Sequence, residues 1–278
     1  MKKSCLYVVP ALLVVAGCNA PAANNTAANN DSDAAASTPV ATASPGAPEK
    51  VTSDKGAPDP KYRVAAETNS QMPAELVAAL EKAQVPPPPL VPPAPKRARV
   101  VMHTSKGDIT VELNGEAAPL HVKSFLYLVK RGFYNGTVFH RFADLLEGSG
   151  QPGKGRIIQG GDPLTKTPTL KEYFGAGGPG YQVPREHNAL KHGKMVIAAA
   201  RSQDPDSAGS QFYFTLDPVP FLDEGDGYTV FGKVLSGQDV VLKLRADDKL
   251  NKVTAAGEAS KAPTVAPAHA DEHAGHQH

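Results

Sequence analysis

The sequence predicts a fold dominated by β-structure, a barrel or sandwich with two helical caps, confined to residues 97–250 of 278. Three features carry this reading. Short apolar-rich runs recur between turn signals, only two stretches show a clear helical period, and the flanks on either side lack a core-forming pattern.

Taken in order, Ala98 to Thr104 and Asp108 to Leu113 read as two strands joined by the hairpin signal Ser105-Lys106-Gly107. Pro119 stands at a first helical position, and Val122, Phe125, Leu126 and Val129 recur on one helix face that Gly132 brings to an end. The alternating run Thr137 to Phe142 predicts one strand carrying Arg141 beside an aromatic ring. Ile157-Ile158 is a further short strand, and Gly160-Gly161 suits a place where the backbone turns or approaches a neighbour closely. After a glycine-rich irregular region come strands at Met195 to Ala200, Gln211 to Leu216 and Tyr228 to Val234, then a closing helix over Gly237 to Leu244.

The flanks divide further. Residues 1–17 combine Lys2 and Lys3, an apolar run and small residues before Cys18, the pattern of an export signal with a lipidation box. Cys18 is therefore the candidate lipidation site, with a membrane anchor and a periplasm-facing bacterial envelope location expected. Asn19 in place of Asp favours the outer membrane. Cys5 leaves with the leader, so no disulfide is expected in the mature chain. Residues 18–96, rich in Ala, Asn, Ser, Thr and Pro, read as a disordered tether, with a short amphipathic helix possible around Leu76, Ala79, Leu80 and Ala83. Pro86 to Pro95 reads as an extended spacer. Residues 251–278 read as a disordered tail in which His269, His273, His276 and His278 are candidate metal ligands. A formal net charge of +1 without a basic block excludes a nucleic-acid footprint. A monomer is expected.

Seven motifs occur in fixed order between Val100 and Leu244: Lys106-Gly107-Asp108-Ile109, Phe133-Tyr134, Phe139-His140-Arg141, Gln159-Gly160-Gly161-Asp162, Gly177-Gly178-Pro179-Gly180-Tyr181, Gly209-Ser210-Gln211-Phe212 and Val230-Phe231-Gly232-Lys233-Val234. This ordered set resembles the cyclophilin family of peptidyl-prolyl cis/trans isomerases. The resemblance implies a closed eight-stranded antiparallel barrel capped by two helices, proline-containing polypeptide substrates and no cofactor. It implies Arg141 as the catalytic arginine and Gln159 as the polar residue that holds the peptide backbone near it. Phe139, Ile157, Gln211, Phe212, Tyr213, Phe221, Leu222 and Tyr228 match positions lining or supporting the proline pocket and groove.

Several residues depart from the family pattern. Phe221 and Tyr228 stand where some members have Trp and His, Arg156 takes a position usually aromatic, and Tyr213 replaces a Phe and needs a partner for its hydroxyl if buried. The connection from Ala143 to Gly155 is longer than usual. The expected function is Xaa-Pro isomerisation in exported proteins, assisting envelope protein folding. The alternative is a catalytically weak cyclophilin-like module that binds proline-containing segments; the presence of Arg141 and Gln159 favours the enzyme.

Overall fold

The computed structural model describes residues 57–64, 72–146 and 154–256. The lipidation site Cys18, the export signal and the histidine-rich tail lie outside them. Eleven strands and three α-helices follow one another: β1 (Arg63–Val64), α1 (Ala74–Ala83), β2 (Arg97–Thr104), β3 (Gly107–Asn114), α2 (Pro119–Lys130), β4 (Thr137–Val138), β5 (Arg141–Asp144), β6 (Arg156–Gly160), β7 (Tyr181–Gln182), β8 (Val196–Ala199), β9 (Phe212–Thr215), β10 (Val230–Ser236), α3 (Gln238–Lys243) and β11 (Lys249–Ala255).

Nine strands form one antiparallel sheet in the order β4-β11-β2-β3-β10-β8-β9-β6-β5. The sheet curls so far that its two edge strands, β4 and β5, are consecutive in the chain. The run 137–142, expected as one strand, divides at Phe139-His140. Up to Phe139 the backbone pairs towards the β11 side, its N–H donating to Asp248 O, whereas the His140 N–H donates to Gln159 O of β6. The chain changes partners within two residues, and Arg141 opens β5.

The β2–β3 hairpin pairs Thr104 with Gly107 across the expected turn. In α2, Pro119 occupies the first turn and Val122, Phe125, Leu128 and Val129 are buried. Phe125 stacks on Tyr134 at 4.8 Å between ring centres and meets Phe212 and Phe231 edge-on or tilted. These rings join Met102, Ile109, Val111, Leu113, Ile158 and Phe214 in the main core inside the curl.

Two flank expectations are corrected. The tether reading fails for the described part of residues 18–96. β1 pairs with β7, Tyr62 is buried in the main core, and its hydroxyl donates to Leu120 O at 2.8 Å. The proline-rich stretch is held too, since Asp59 N–H donates to Pro88 O and Leu90 N–H to Ala57 O. The anticipated short helix forms as α1 and seats Leu76 against Leu164 and Leu170. At the other end, β11 runs past residue 250 to Ala255, inserted between β4 and β2, with Val253 buried. A tail beginning at Asn251 would cut that strand.

Candidate active site

The register across β5, β6, β9 and β8 sorts the site residues onto two faces of the sheet. Arg141 lies opposite Gln159, Gln159 opposite Tyr213, and Tyr213 opposite Ala198. Directly paired residues share a face, so these four form one row on the outer side of the curl. Phe142, Ile158, Phe214 and Ile197 form the parallel row that faces the main core. A second apolar cluster sits on the outer side, built from Ile157, Ala198, Tyr213, Val219, Leu222 and Val230, with Phe221 and Tyr228 half-buried against it.

Of the residues singled out in the sequence, Ile157, Tyr213, Phe221, Leu222 and Tyr228 thus come together as an apolar floor and rim beside Arg141. Phe139 and Phe212 do not line it. Both are fully buried on the core side, their rings 6.3 Å apart and perpendicular, and they support the strands from behind.

Arg141 is held by a chain of amides. Its Nη1 donates to Gln159 Oε1 at 3.3 Å, Gln159 Nε2 donates to Gln211 Oε1 at 2.9 Å, and Gln211 Nε2 donates to the carbonyls of Gly175 and Gly177, each at 2.8 Å. Each amide is oriented by the next, so the guanidinium direction is set by backbone carbonyls three links away. Those carbonyls are placed by Asp162, which is wholly buried and accepts from the N–H groups of Leu164, Gly175 and Gly177. Gly177 has no room for more, since a Cβ there would lie 2.1 Å from Asp162 Oδ1. At Gly161 the backbone has φ +88° and passes so near Ser210 O that only glycine fits, which accounts for the glycine pair after Gln159.

Arg141 makes no ion pair with the described residues. Burial pulls its guanidinium below the ordinary value while the nearby Tyr228 opposes this, and arginine stays a cation throughout the physiological range. A half-buried, directed cation without an ion-pair partner among the described residues is available to a ligand. His140, the residue before it, has both ring nitrogens buried with no hydrogen-bond partner among the described residues. Burial and the Arg141 charge lower it to about 4, against a weaker pull from Gln211, so it is neutral at pH 7.

Tyr213 finds the partner its burial demands. Its hydroxyl lies 2.8 Å from His192 Nε2, and His192 Nδ1 lies 2.7 Å from Asp223 Oδ1. A carboxylate only accepts, so Nδ1 carries the proton; the neutral ring then presents a bare Nε2, and the tyrosine donates. Burial lowers His192 although Asp223 works against it. Asp223 ends the 3-10 turn Pro220–Asp223 that carries Phe221 and Leu222, so the relay ties two walls of the floor together. His192 and Asp223 were not singled out in the sequence. The demand of the Tyr213 hydroxyl was visible there, but nothing in the spacing says which polar residue meets it.

Arg201 was also missed. Its guanidinium lies over the Tyr228 ring, 4.2 Å from the centre, and donates from Nε and Nη2 to Gly227 O. Arg156, expected at an aromatic pocket position, instead turns to Asp217 in a two-pronged pair at 2.7 and 3.1 Å. Asp204, Asp206 and Ser207 form a polar loop, with both carboxylates near Arg63 of β1.

Beside this row opens a cleft of about 510 Å³ whose lining includes Gln159, Gln211, Gly177, Arg201, Leu80 and Met72. Comparison with known proteins decides what the arrangement belongs to. The sequence model described as "Cyclophilin type peptidyl-prolyl cis-trans isomerase/CLD" matches residues 99–266, more than half of the chain. The chain belongs to the cyclophilin family.

Its cyclophilin domain is 36% identical over 148 residues to a probable peptidyl-prolyl cis-trans isomerase of Brucella suis, covering 52% of this chain and 70% of that one. It is 37% identical over 147 residues to the peptidyl-prolyl cis-trans isomerase cypE of Dictyostelium discoideum, covering 53% of this chain and 84% of that one. Among solved structures, the cyclophilin cgd2_1660 of Cryptosporidium parvum aligns with a TM-score of 0.47 and 26% identity, covering 58% of this chain and 98% of its own. The cyclophilin family thus accounts for the sheet, α2 and α3, while β1 and α1 precede the matched region.

Proposed function

We propose that this cyclophilin isomerises Xaa-Pro bonds through Arg141, with the proline ring seated on the floor of Ile157, Tyr213 and Leu222 and the peptide backbone held by Gln159. The observation that carries the reading is the half-buried Arg141, without an ion pair among the described residues and aimed by the amide chain beside an apolar floor. Amide resonance sets a rotation barrier of about 18–20 kcal/mol. As the bond twists, resonance is lost and the imide nitrogen regains a lone pair, becoming a better acceptor. A fixed cation at that point binds the twisted state more strongly than either planar state, which is what lowers a barrier. The floor immobilises the ring while the residue preceding it turns. No proton moves in the reaction, so a neutral His140 serves the site by packing.

In this reading the enzyme acts as a monomer on exported proteins in the bacterial envelope, anchored by acyl chains on Cys18, with the curled sheet forming a closed barrel. Support for the anchor is the charged, apolar and small-residue order before Cys18. Proline isomer exchange in short Xaa-Pro peptides, followed by NMR with the full chain and with Arg141→Ala, tests the catalytic reading. Loss of acceleration in the variant supports it, and binding without acceleration by the unaltered chain replaces it with the binding module. Acyl-donor labelling that persists in Cys18→Ser would remove the anchor.

A further inference from the structure

Arg63 belongs to β1, a strand that precedes the family match, which begins at residue 99. We propose that Arg63 is a positioning residue for substrate binding: it closes a ring of three arginines and three aspartates that braces Tyr228, the rim of the proline floor. The inference rests on the isomerase reading above and extends its binding machinery to the N-terminal segment.

The strand places the side chain. Tyr62 is buried in the main core with its hydroxyl tied to Leu120 O, and the neighbouring Arg63 is left exposed. β1 pairs with β7, Arg63 opposite Gln182. One residue further on, the Val183 N–H donates to Ala208 O at 2.7 Å, which brings the end of the 201–207 loop alongside. Arg63 thus meets two carboxylates of that loop, donating from Nη2 to Asp206 Oδ2 at 2.8 Å with Nη1 3.6 Å from Asp204 Oδ2.

From Asp206 the ring runs on. Its other oxygen, Oδ1, accepts from the Arg185 N–H at 3.0 Å, and Arg185 Nη1 donates to Asp226 Oδ1 at 2.7 Å and to Asp226 O. The next carbonyl, Gly227 O, accepts from Nε and Nη2 of Arg201, whose Nη1 donates in turn to the carbonyls of Ser202 and Gln203 at 2.9 and 3.3 Å. Those carbonyls lead along the loop to Asp204, and Asp204 leads back to Arg63. Positive and negative side chains balance within the ring.

Tyr228 sits where this ring meets the floor. It follows Asp226 and Gly227 in the chain, Arg201 lies over its ring, and it meets Tyr213 of the floor edge-on, 6.2 Å between ring centres. Arg201 takes its orientation from Gly227 O and the 202–203 carbonyls, and both stretches are tied to Arg63 through the aspartates. Arg141, by contrast, is aimed by the separate amide chain through Gln159 and Gln211. Loosening the ring therefore alters the seat of the proline and leaves the cation in place. Such a loss falls equally on the planar and twisted states, which raises KM and keeps kcat.

The test uses the full chain and steady-state rates on one short Ala-Pro peptide. Arg63 is exposed, so Arg63→Gln leaves folding intact, which urea denaturation checks. Because exposed ion pairs couple weakly, Arg63→Gln is expected to raise KM by about two- to fivefold at low salt with kcat unchanged. Arg63→Lys keeps the charge but lacks the planar fork and should recover part of the loss. Asp206→Asn should raise KM likewise, and Arg63→Gln should add little in that background. In about 0.5 M salt the gap between the unaltered chain and Arg63→Gln should narrow. An unchanged KM in Arg63→Gln, full additivity with Asp206→Asn, or a rise in KM that tracks lost stability and ignores salt would overturn the positioning role while leaving the isomerase standing. Acceleration of no peptide by the unaltered chain would remove the isomerase reading, and the role of Arg63 with it.

Discussion

Replacing His192 with Leu removes the middle of the Asp223–His192–Tyr213 relay, and the structure sets what that should cost. The His192 side chain is fully buried and Tyr213 is 3% exposed, so no water replaces the bond to the Tyr213 hydroxyl. The Tyr213 hydroxyl is left as an orphaned buried donor, worth about 1–3 kcal/mol. Asp223 loses its ring N–H but keeps the His192 backbone N–H, which survives the substitution, and its side chain stays 14% exposed. Its loss is therefore at the low end of the roughly 1.5–3 kcal/mol for a bond to a charged group. His192→Leu should destabilise by about 3–4 kcal/mol in total. Tyr213→Phe alone orphans only the His192 Nε2 and should cost about 1–2 kcal/mol. In the double variant no hydroxyl remains to be orphaned, so Tyr213→Phe adds nothing to His192→Leu and recovers part of its cost. Urea denaturation of the four proteins at constant m-value gives the cycle. Single costs that add within about 0.5 kcal/mol would refute the relay as a coupled unit.

Four further outcomes are expected. Arg141→Ala should slow catalysis by about 3–4 kcal/mol of barrier, a few hundredfold, with stability almost unchanged, and steady-state rates on one Ala-Pro peptide check it. Since His140 is held neutral and titrates near 4 in the fold against about 6.5 unfolded, its contribution is complete above pH 6.5 and disappears as pH falls through 4. That amounts to about 3 kcal/mol; His192 shifts in the same direction, and the difference in pH-dependent stability between the unaltered chain and His140→Gln isolates the first of them. Asp162→Ala should release the Gly175 and Gly177 backbone, lowering kcat through misdirected Gln211 and Gln159, which amide exchange at 175–177 would show as lost protection. Tyr62→Ala should cost about 3–5 kcal/mol as a core truncation, and a cost below 1 would mean the N-terminal segment is not part of the core.

The strands of the sheet were largely legible because burial on one face writes an alternation into β2 and β3, and Pro119 with its periodic partners marked α2. The break at Phe139-His140 was not legible. Alternation records which face a side chain takes, and that stays regular while the backbone switches from one neighbour to another. The N-terminal segment was misjudged because average composition hides a few decisive contacts: Tyr62, Leu76 and Val85 sit among prolines, alanines and polar residues, yet each is fixed by a partner distant in the chain. At the candidate site, the motifs singled out Arg141 and Gln159, which the register places opposite one another. The deflection of Arg156 to Asp217 and the choice of His192 for Tyr213 depend on residues 61 and 21 positions away, which no local pattern encodes.

The insertion of β11 between β4 and β2 has a consequence for how this chain is made. Val253 pairs with Met102 and Leu250 with Thr137, so this strand bridges partners about 150 and about 110 residues earlier. Until that strand leaves the ribosome, the inner edge of β2 stands open and nothing joins β4 to β2. Closing such long loops before any contact rewards them is slow. The exposed edge of β2 must meanwhile be kept from other strands. Synthesis must therefore run to residue 255 before the sheet that carries the candidate site can be completed.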